Sequence, residues 1–286
     1  DFTIDDLEVQ DPDPQVLLDF VVKMEFRTLS KRLAEKLKVE APVIAEPTIA
    51  VAVSDAPQAS AIDPSKYETI RDGAGLQVWV DRIYARGYVA VDTETTGLNE
   101  MRADLVGVSL CVEAGEAAYL PLSHRAGQAD DLFGTDVLAE GQMDQAAALA
   151  MLKPMLEDSS ILKIGQNMKY DAKILARVGI QIAPIDDTML MSYAQNGGLH
   201  NHGMNFLSER YLDHVPIPIK TLLGTGKSAI TFDSVPIDEA TRYAAEDADI
   251  TLRLWQNLKP KLHLKKVTTV YETLERPLVP ILVEME

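Results

Sequence analysis

Four carboxylates and one phenol stand out because their spacing places them on common faces. In VAVDTETTG, Asp92 and Glu94 lie two residues apart at the end of an apolar run. On a strand, residues i and i+2 face the same way, so these acids repel unless a cation lies between them. A bare Asp-x-Glu is not distinctive, since Asp6-Leu7-Glu8 has it too. The apolar run before and the Thr95-Thr96-Gly97 turn after mark this one as a strand end. In RYAAEDADITLRLW, Tyr243 and Asp247 are four apart and share a helix face. A hydroxyl beside a carboxylate can orient a water, although the crowding of Glu246, Asp247 and Asp249 also suits a solvated acidic turn. In IGQNMKYDAKIL, Asp171 falls in the first turns of a helix that follows a strand. The helix dipole favours an acid there, and such a corner also points to the sheet edge where α/β sites form. Hard oxygen donors of this kind suit Mg2+ or Mn2+. Two such ions about 3.5–4 Å apart clamp the attacking and leaving oxygens of an in-line phosphoryl displacement.

Other candidates carry less. His200 and His202, in GGLHNHGMN, read as loop or capping residues, and no His/Cys cluster offers a zinc site. Gly224-Thr225-Gly226-Lys227-Ser228 looks like a phosphate-binding loop, but the glycine required five residues before Gly226 is Thr221. The preceding HVPIPIK, with two prolines, makes a poor buried strand. Cys111, in GVSLCVE, reads as core and not as a nucleophile.

The elements that must position these groups belong to a chain of 286 residues with 47% hydrophobic and 25% charged residues, enough for a sizeable core. The net charge of −17, from 27 Lys+Arg against 44 Asp+Glu, argues against a broad basic nucleic-acid face. Lys163, Lys169, Lys173, Lys220 and Lys227 are the cations that could still meet a phosphate. No apolar run approaches the ~18 residues of a membrane helix and no signal-peptide pattern opens the chain. A single cysteine fits a reducing cytoplasm.

Residues 1–20 hold seven acids and no Lys or Arg, an acidic lead-in, and two short helices are expected within 16–37. Residues 39–62, rich in Ala, Pro and Val, read as a linker. From residue 63 the texture is α/β. A short helix precedes strand 87–96; residues 105–122 form a hairpin about Glu113-Ala114-Gly115-Glu116. A helix at 145–158, a strand at 161–167 and a helix at 169–179 closed by Gly179 follow. Helices are expected at 187–195, 204–212, 237–258 and from about 261 to the end. The expected fold is one mixed sheet flanked by helices, with a helix-rich C-terminal half.

VDTETTGL, GQNMKYD and YAAEDAD, in this order and spacing, resemble the three motifs of the DEDDy branch of the ribonuclease-H-like 3′–5′ exonucleases. The flanks resemble the proofreading domain of bacterial family A polymerases (DNA polymerase I). The resemblance implies that residues 1–38 are the end of a 5′ nuclease domain, 63–266 the exonuclease domain and 267–286 the start of a polymerase domain. Polymerase activity itself is not expected. It further implies two divalent cations, Mg2+ or Mn2+, with Asp92, Glu94 and Asp247 on the tighter one, Asp92 bridging to the second and Asp171 assisting. Tyr243 and Glu94 would orient the attacking water, and the product would be a 5′-mononucleotide. Thr95, Leu98, Gln166 and Asn167 would meet the terminal nucleotides of a single-stranded 3′ end of DNA. Where relatives often carry Phe, this chain has Ile219, which questions aromatic support of the terminal bases. Polymerase and 5′ nuclease domains of a parent chain are the implied partners, with a monomeric state and a cytoplasmic, nucleoid-associated place in a bacterium. Two alternatives stay open: a 3′–5′ exoribonuclease of the same superfamily, and a catalytically silent domain of a polymerase.

Overall fold

The computed structural model describes residues 13–24, 26–39, 61–126, 137–226 and 229–286. The chain forms two compact units, residues 1–56 and 57–286. Residues 1–12, most of the linker and Lys227 lie outside the described residues.

The described part of the first unit is a helix pair, α1 (Pro14–Lys23) and α2 (Arg27–Leu37). Asp13 caps α1 by accepting from the backbone N–H groups of Gln15 and Val16, the usual task of an aspartate at that position. Leu18, Val21 and Ala34 are buried together; of the apolar stripe expected from the sequence at Leu17, Phe20, Val21 and Met24, only Val21 is buried, and Phe20 and Met24 are exposed.

The second unit is built on a six-stranded mixed sheet in the order β1-β4-β3-β2-β5-β6. The strands are β1 (Glu68–Thr69), β2 (Tyr88–Thr95), β3 (Leu105–Glu113), β4 (Glu116–Pro121), β5 (Leu162–Gly165) and β6 (Ile185–Asp187). β2, β3 and β4 are antiparallel neighbours; β5 runs parallel to β2 and β6 parallel to β5. The β3–β4 connection is the predicted two-residue turn, with Gly115 at φ +88°, a conformation open to glycine at no steric cost. β3 is buried along all but its last residue, and β2 is buried except at Tyr88, Asp92 and Thr95, which are half-buried, as suits central strands covered on both faces.

One face is covered by α3 (Gly73–Arg86), α4 (Gln145–Leu156) and α5 (Met168–Arg177), which close a core around Leu76, Ile83, Val89, Val91, Leu152 and Leu175. The other face carries α9 (Ile237–Leu264), with α6 (Thr188–Asn196), α7 (Met204–Leu212) and the short α8 (Ile219–Leu223) beside it. α9 approaches the sheet through alanines: Ala245 and Ala248 are fully buried against Ala90, Cys111 and Ile164. Small side chains there bring its carboxylates within reach of β2.

α9 differs from the expected break near 258–261. It continues through Pro260 to Leu264 because Leu254, Leu258 and Leu262 stay buried on one face, while Pro260 and Gln256 lie on the exposed face, where water can satisfy the carbonyl the proline leaves unbonded. The break falls at Lys265–Val267, with Lys266 at φ +60°. α10 (Thr268–Val270), a π turn over Tyr271–Glu275 and α11 (Arg276–Met285) follow. The predicted helix start at 187 is also displaced: β6 occupies 185–187 and α6 begins at Thr188. Tyr271 is fully buried; its hydroxyl donates to Asp186 Oδ1 at 2.9 Å and accepts from Asp187 N at 2.9 Å. Residues 268–285 therefore pack on the same unit as the sheet.

Candidate active site

Asp92 and Glu94 stand on β2 opposite Ser109 and Gly107 of β3, just before an irregularity in the ladder between Glu94 and Thr95. Gly107 has a steric reason to be glycine: a Cβ there would lie 2.1 Å from Tyr119 Oη. Asp247 reaches the same place from α9. One carboxylate oxygen each from Asp92, Glu94 and Asp247 lie within 4.8 Å of one another. Glu94 is 8% exposed, and its Oε1 is buried without a hydrogen-bond partner.

Burial, joined at Asp92 and Glu94 by the charge of neighbouring acids, suppresses ionisation here. Burial, then the charge of Asp247, raises Asp92 well above the usual carboxylate range. Burial, then Asp92, Asp247 and Asp171, does the same to Glu94. Burial takes Asp247 up to about 7, against the hydrogen bond from Tyr243. Burial first, and the Asp247 carboxylate next, push the Tyr243 phenol far above its ordinary value, so it stays protonated.

Asp171 sits differently. It is 2% exposed in the first turn of α5, and its Oδ1 accepts from Thr93 N at 3.0 Å and Thr93 Oγ1 at 2.6 Å. One of its oxygens is thus engaged by protein, and it stands beside the three-acid cluster instead of within it. Burial and the Asp92 charge still raise it above the carboxylate range. The cluster consists of hard oxygen donors, one of them buried and unpartnered, and this donor set fits a hard divalent cation. Among the described residues no His or Cys joins it.

The acids form the floor of a cleft of about 420 Å³, and none of the described residues lining it is Lys or Arg. All four expected nucleotide contacts line it, in different states. Leu98 is 94% exposed at the rim. Asn167 adopts φ +65° at the start of α5, makes no side-chain cap bond and lines the cleft. Thr95 Oγ1 and Tyr170 Oη lie 2.5 Å apart and share the Gly97 carbonyl, so Thr95 shapes the turn. The Gln166 amide donates to His202 O at 2.9 Å and accepts from Thr188 Oγ1, so it too is held by protein. Ile219 lines the opposite wall with Leu223 and Ile230, and Tyr170 and Phe232 bring aromatic rings despite the absent phenylalanine.

Several supporting residues escaped sequence reasoning. Asp187, 1% exposed, accepts from the N–H groups of Asn167, Met168, Met189 and Leu190. One carboxylate thus caps both α5 and α6, and it does for α5 what Asn167 does not. The available signal was an aspartate just before an apolar helix. Glu246, read as part of a solvated acidic turn, is 1% exposed; it accepts from His214 Nε2 at 2.9 Å and Ile217 N at 2.7 Å and so ties down the segment leading into α8. Asp249 is likewise buried, accepting from Tyr67 Oη, Gly115 N and Arg253 Nε.

His202 bonds Ser192 Oγ through Nδ1 at 2.9 Å, and Cys111 is buried, as expected of loop and core residues. Of the cations proposed to meet a phosphate, Lys163 is fully buried and donates to the carbonyls of Asp158 and Ala183. Lys169 and Lys173 both pair with Glu286.

The model of a 3′–5′ exonuclease family matches residues 67–263. The chain is 45% identical to DNA polymerase I of Rhizobium leguminosarum over 98% of its length and 36% identical to that of Pseudomonas aeruginosa over all of it. It spans 28% and 30% of those two proteins, under a third of each. Among solved structures, Escherichia coli RNase D, an exoribonuclease, superposes over 77% of this chain and 50% of its own with a TM-score of 0.52 at 19% identity, a likeness of fold. Three motif segments that meet at one carboxylate cluster, inside the matched region, agree with those relatives: the chain belongs to the 3′–5′ exonuclease family found in bacterial DNA polymerase I.

Proposed function

We propose that this chain removes nucleotides from the single-stranded 3′ end of DNA, as the proofreading part of a larger bacterial polymerase, releasing 5′-mononucleotides. The single observation that carries the reading is the cluster of Asp92, Glu94 and Asp247 at the foot of the cleft, with a Glu94 oxygen buried and unpartnered.

Asp92, Glu94 and Asp247 would hold one divalent cation, with Asp92 and Asp171 directed to a second, as Mg2+ or Mn2+. Such ions supply charge neutralisation at the phosphate and a water made more acidic. The chain's own residues do the rest. Leu98 and the apolar wall of Ile219, Leu223 and Phe232 grip bases without reading them, since stacking and wedging accept any base. The Asn167 amide offers hydrogen bonds to the terminal nucleotide. Tyr243, kept protonated by burial and by Asp247, places its hydroxyl where it can orient the attacking water. That no described residue lining the cleft is Lys or Arg suits hydrolysis near the strand end, where few phosphates are held.

The relatives favour DNA over RNA as substrate, because the high-identity matches are DNA polymerases. The intended setting is the bacterial cytoplasm at the nucleoid; among the described residues no helix is long and apolar enough to cross a membrane. The test is direct. With Mg2+ or Mn2+ the protein should shorten 5′-labelled single-stranded DNA from its 3′ end, act faster on a mismatched than a paired terminus, and lose this on Asp247→Ala. Wild type and variant equally inert with both metals would overturn the reading, and preference for RNA would replace DNA with RNA.

A further inference from the structure

A buried hydroxyl beside the carboxylate cluster has its proton committed elsewhere. Tyr119, on β4, is fully buried and pairs with Ser109 of β3, which pairs with Asp92 of β2. Opposite residues share a face, so Tyr119 stands on the face that carries Asp92 and Glu94. Its ring leans along the sheet until Oη occupies the place that a Cβ of Gly107 would take. Gly107 is itself paired with Glu94, and the Cβ positions of such pairs lie about 5 Å apart, within reach of a long side chain. The Tyr119 hydroxyl and the Glu94 carboxylate are therefore neighbours. Burial, then the charges of Glu94 and Asp92, raises the Tyr119 phenol well above its ordinary value, so it keeps its proton. Glu94 Oε1 nevertheless has no hydrogen-bond partner.

The proton goes to His124, which is 1% exposed. His124 Nδ1 lies 2.9 Å from Val235 O. A carbonyl only accepts, so Nδ1 carries the hydrogen. Burial lowers the imidazole below its ordinary value, so the ring is neutral and Nε2 is an acceptor. Tyr119 Oη, 2.8 Å away, donates to it. The histidine is held from three sides. Val235 fixes its tautomer, the Gln142 amide accepts from His124 N and donates to His124 O, and the Phe232 ring stands 6.0 Å away. Phe232 in turn meets Tyr243 at 5.9 Å, so one ring cluster backs both His124 and the tyrosine of the cleft. A Tyr119 hydroxyl without this acceptor would turn to the unpartnered Glu94 oxygen, because a buried polar group left unpaired is costly. A cation using that oxygen would first have to displace the hydrogen bond.

We propose that His124 is a positioning residue for the cation site: by accepting the Tyr119 proton it keeps that hydroxyl off Glu94 and leaves Oε1 open to the metal. The proposal rests on the cation site of the exonuclease reading and deepens it. His124 also ties the chain after β4 to the segment before α9, but that role alone predicts lost stability and no rescue by a second substitution. The test is Mn2+ binding in the absence of DNA, by calorimetric titration of variants shown by circular dichroism to be folded. His124→Phe keeps a ring and removes the acceptor. It should bind Mn2+ about tenfold more weakly, the weight of one hydrogen bond to a charged group. Tyr119→Phe has no proton to misplace and should stay within about twofold of wild type, and His124→Phe/Tyr119→Phe should return to that level. If His124→Phe does not fold, His124→Asn takes its place with the same expected outcomes, since it keeps a donor for Val235 O and ends short of Tyr119. Wild-type affinity in the folded His124 variant, or a double variant as weak as the single one, would overturn the proposal and leave the cation site standing. A wild-type protein that binds no Mn2+ would remove the cation site itself, and this role of His124 with it.

Discussion

Asp171 Oδ1 accepts from both the backbone N–H and the hydroxyl of Thr93, so the acid on α5 is fastened to the residue that separates Asp92 from Glu94 on β2. The strand thus presents Asp92 and Glu94 to α9 while the residue between them secures Asp171. Thr93→Val keeps the shape and removes one of the two donors. It should cost about 1 kcal/mol in denaturant unfolding and lower kcat ~10- to 100-fold through misplacement of Asp171. Unchanged turnover would show that Asp171 needs no such anchor.

The raised carboxyls make a stability prediction for the metal-free protein. Asp247 goes from 3.8 in the unfolded chain to about 7 in the fold, and Asp92 and Glu94 move the same way. Between those values the native state binds more protons than the unfolded state, so stability falls as pH rises. In EDTA the melting temperature should therefore drop from pH 4 to pH 7, beyond any global trend shared with Glu94→Gln. At pH 7.5 that variant should melt higher than wild type, by about 2–4 °C per kcal/mol of repulsion removed. Mg2+ or Mn2+ should stabilise wild type more than the variant. A flat wild-type profile with no metal response would contradict the proposed cation site.

Tyr243 gives a narrower test. Phenylalanine keeps the ring among the buried neighbours Phe232 and Ala244 and deletes the hydroxyl. Tyr243→Phe should lower kcat ~100-fold, within the range for a positioned proton-transfer group, and leave the metal-induced rise in melting temperature intact. Loss of that rise would make the tyrosine part of the cation site; full turnover would take it out of the mechanism.

The parts of this site that were legible in the sequence are those fixed by local periodicity. Asp92 and Glu94 follow from period two on an apolar strand, and Tyr243 with Asp247 from period four on a helix; each pair needs only its own element. The parts that were not legible depend on tertiary partners. Asp186 and Asp187 look like one acidic step, yet Asp186 is bound by Trp255, Lys259 and Tyr271, and Asp187 by four backbone N–H groups. Glu246 and Asp249 read as a solvated turn because nothing nearby in sequence announces His214, Ile217, Tyr67 or Gly115. β1 and β6, at two and three residues, are too short for any period to show.

Asp187 should therefore behave as a positioning residue for Asn167 and Asp171. Asp187→Ala removes the cap from two helices at once, at about 1 kcal/mol per cap and up to ~2 for each. Exonuclease activity should fall with it. Asp187→Asn, which retains an acceptor, should recover part of both. Loss of stability without loss of kcat/KM at a temperature where the variant is folded would confine Asp187 to the fold.

Leu98 offers the cleanest separation of binding from folding. Its side chain is 94% exposed, so it contributes almost nothing to the core and its truncation leaves the unfolding free energy unchanged within ~0.5 kcal/mol. An exposed leucine at the rim of a cleft gains its apolar burial only when a base packs against it, at about 25 cal/mol per Å² removed from water. Leu98→Ala should therefore raise KM for single-stranded DNA several-fold, with little effect on kcat and none on melting temperature. The same substitution should matter less for a dinucleotide, which brings fewer bases to the rim. A variant with wild-type KM would place the terminal bases elsewhere in the cleft, against Phe232 and Tyr170.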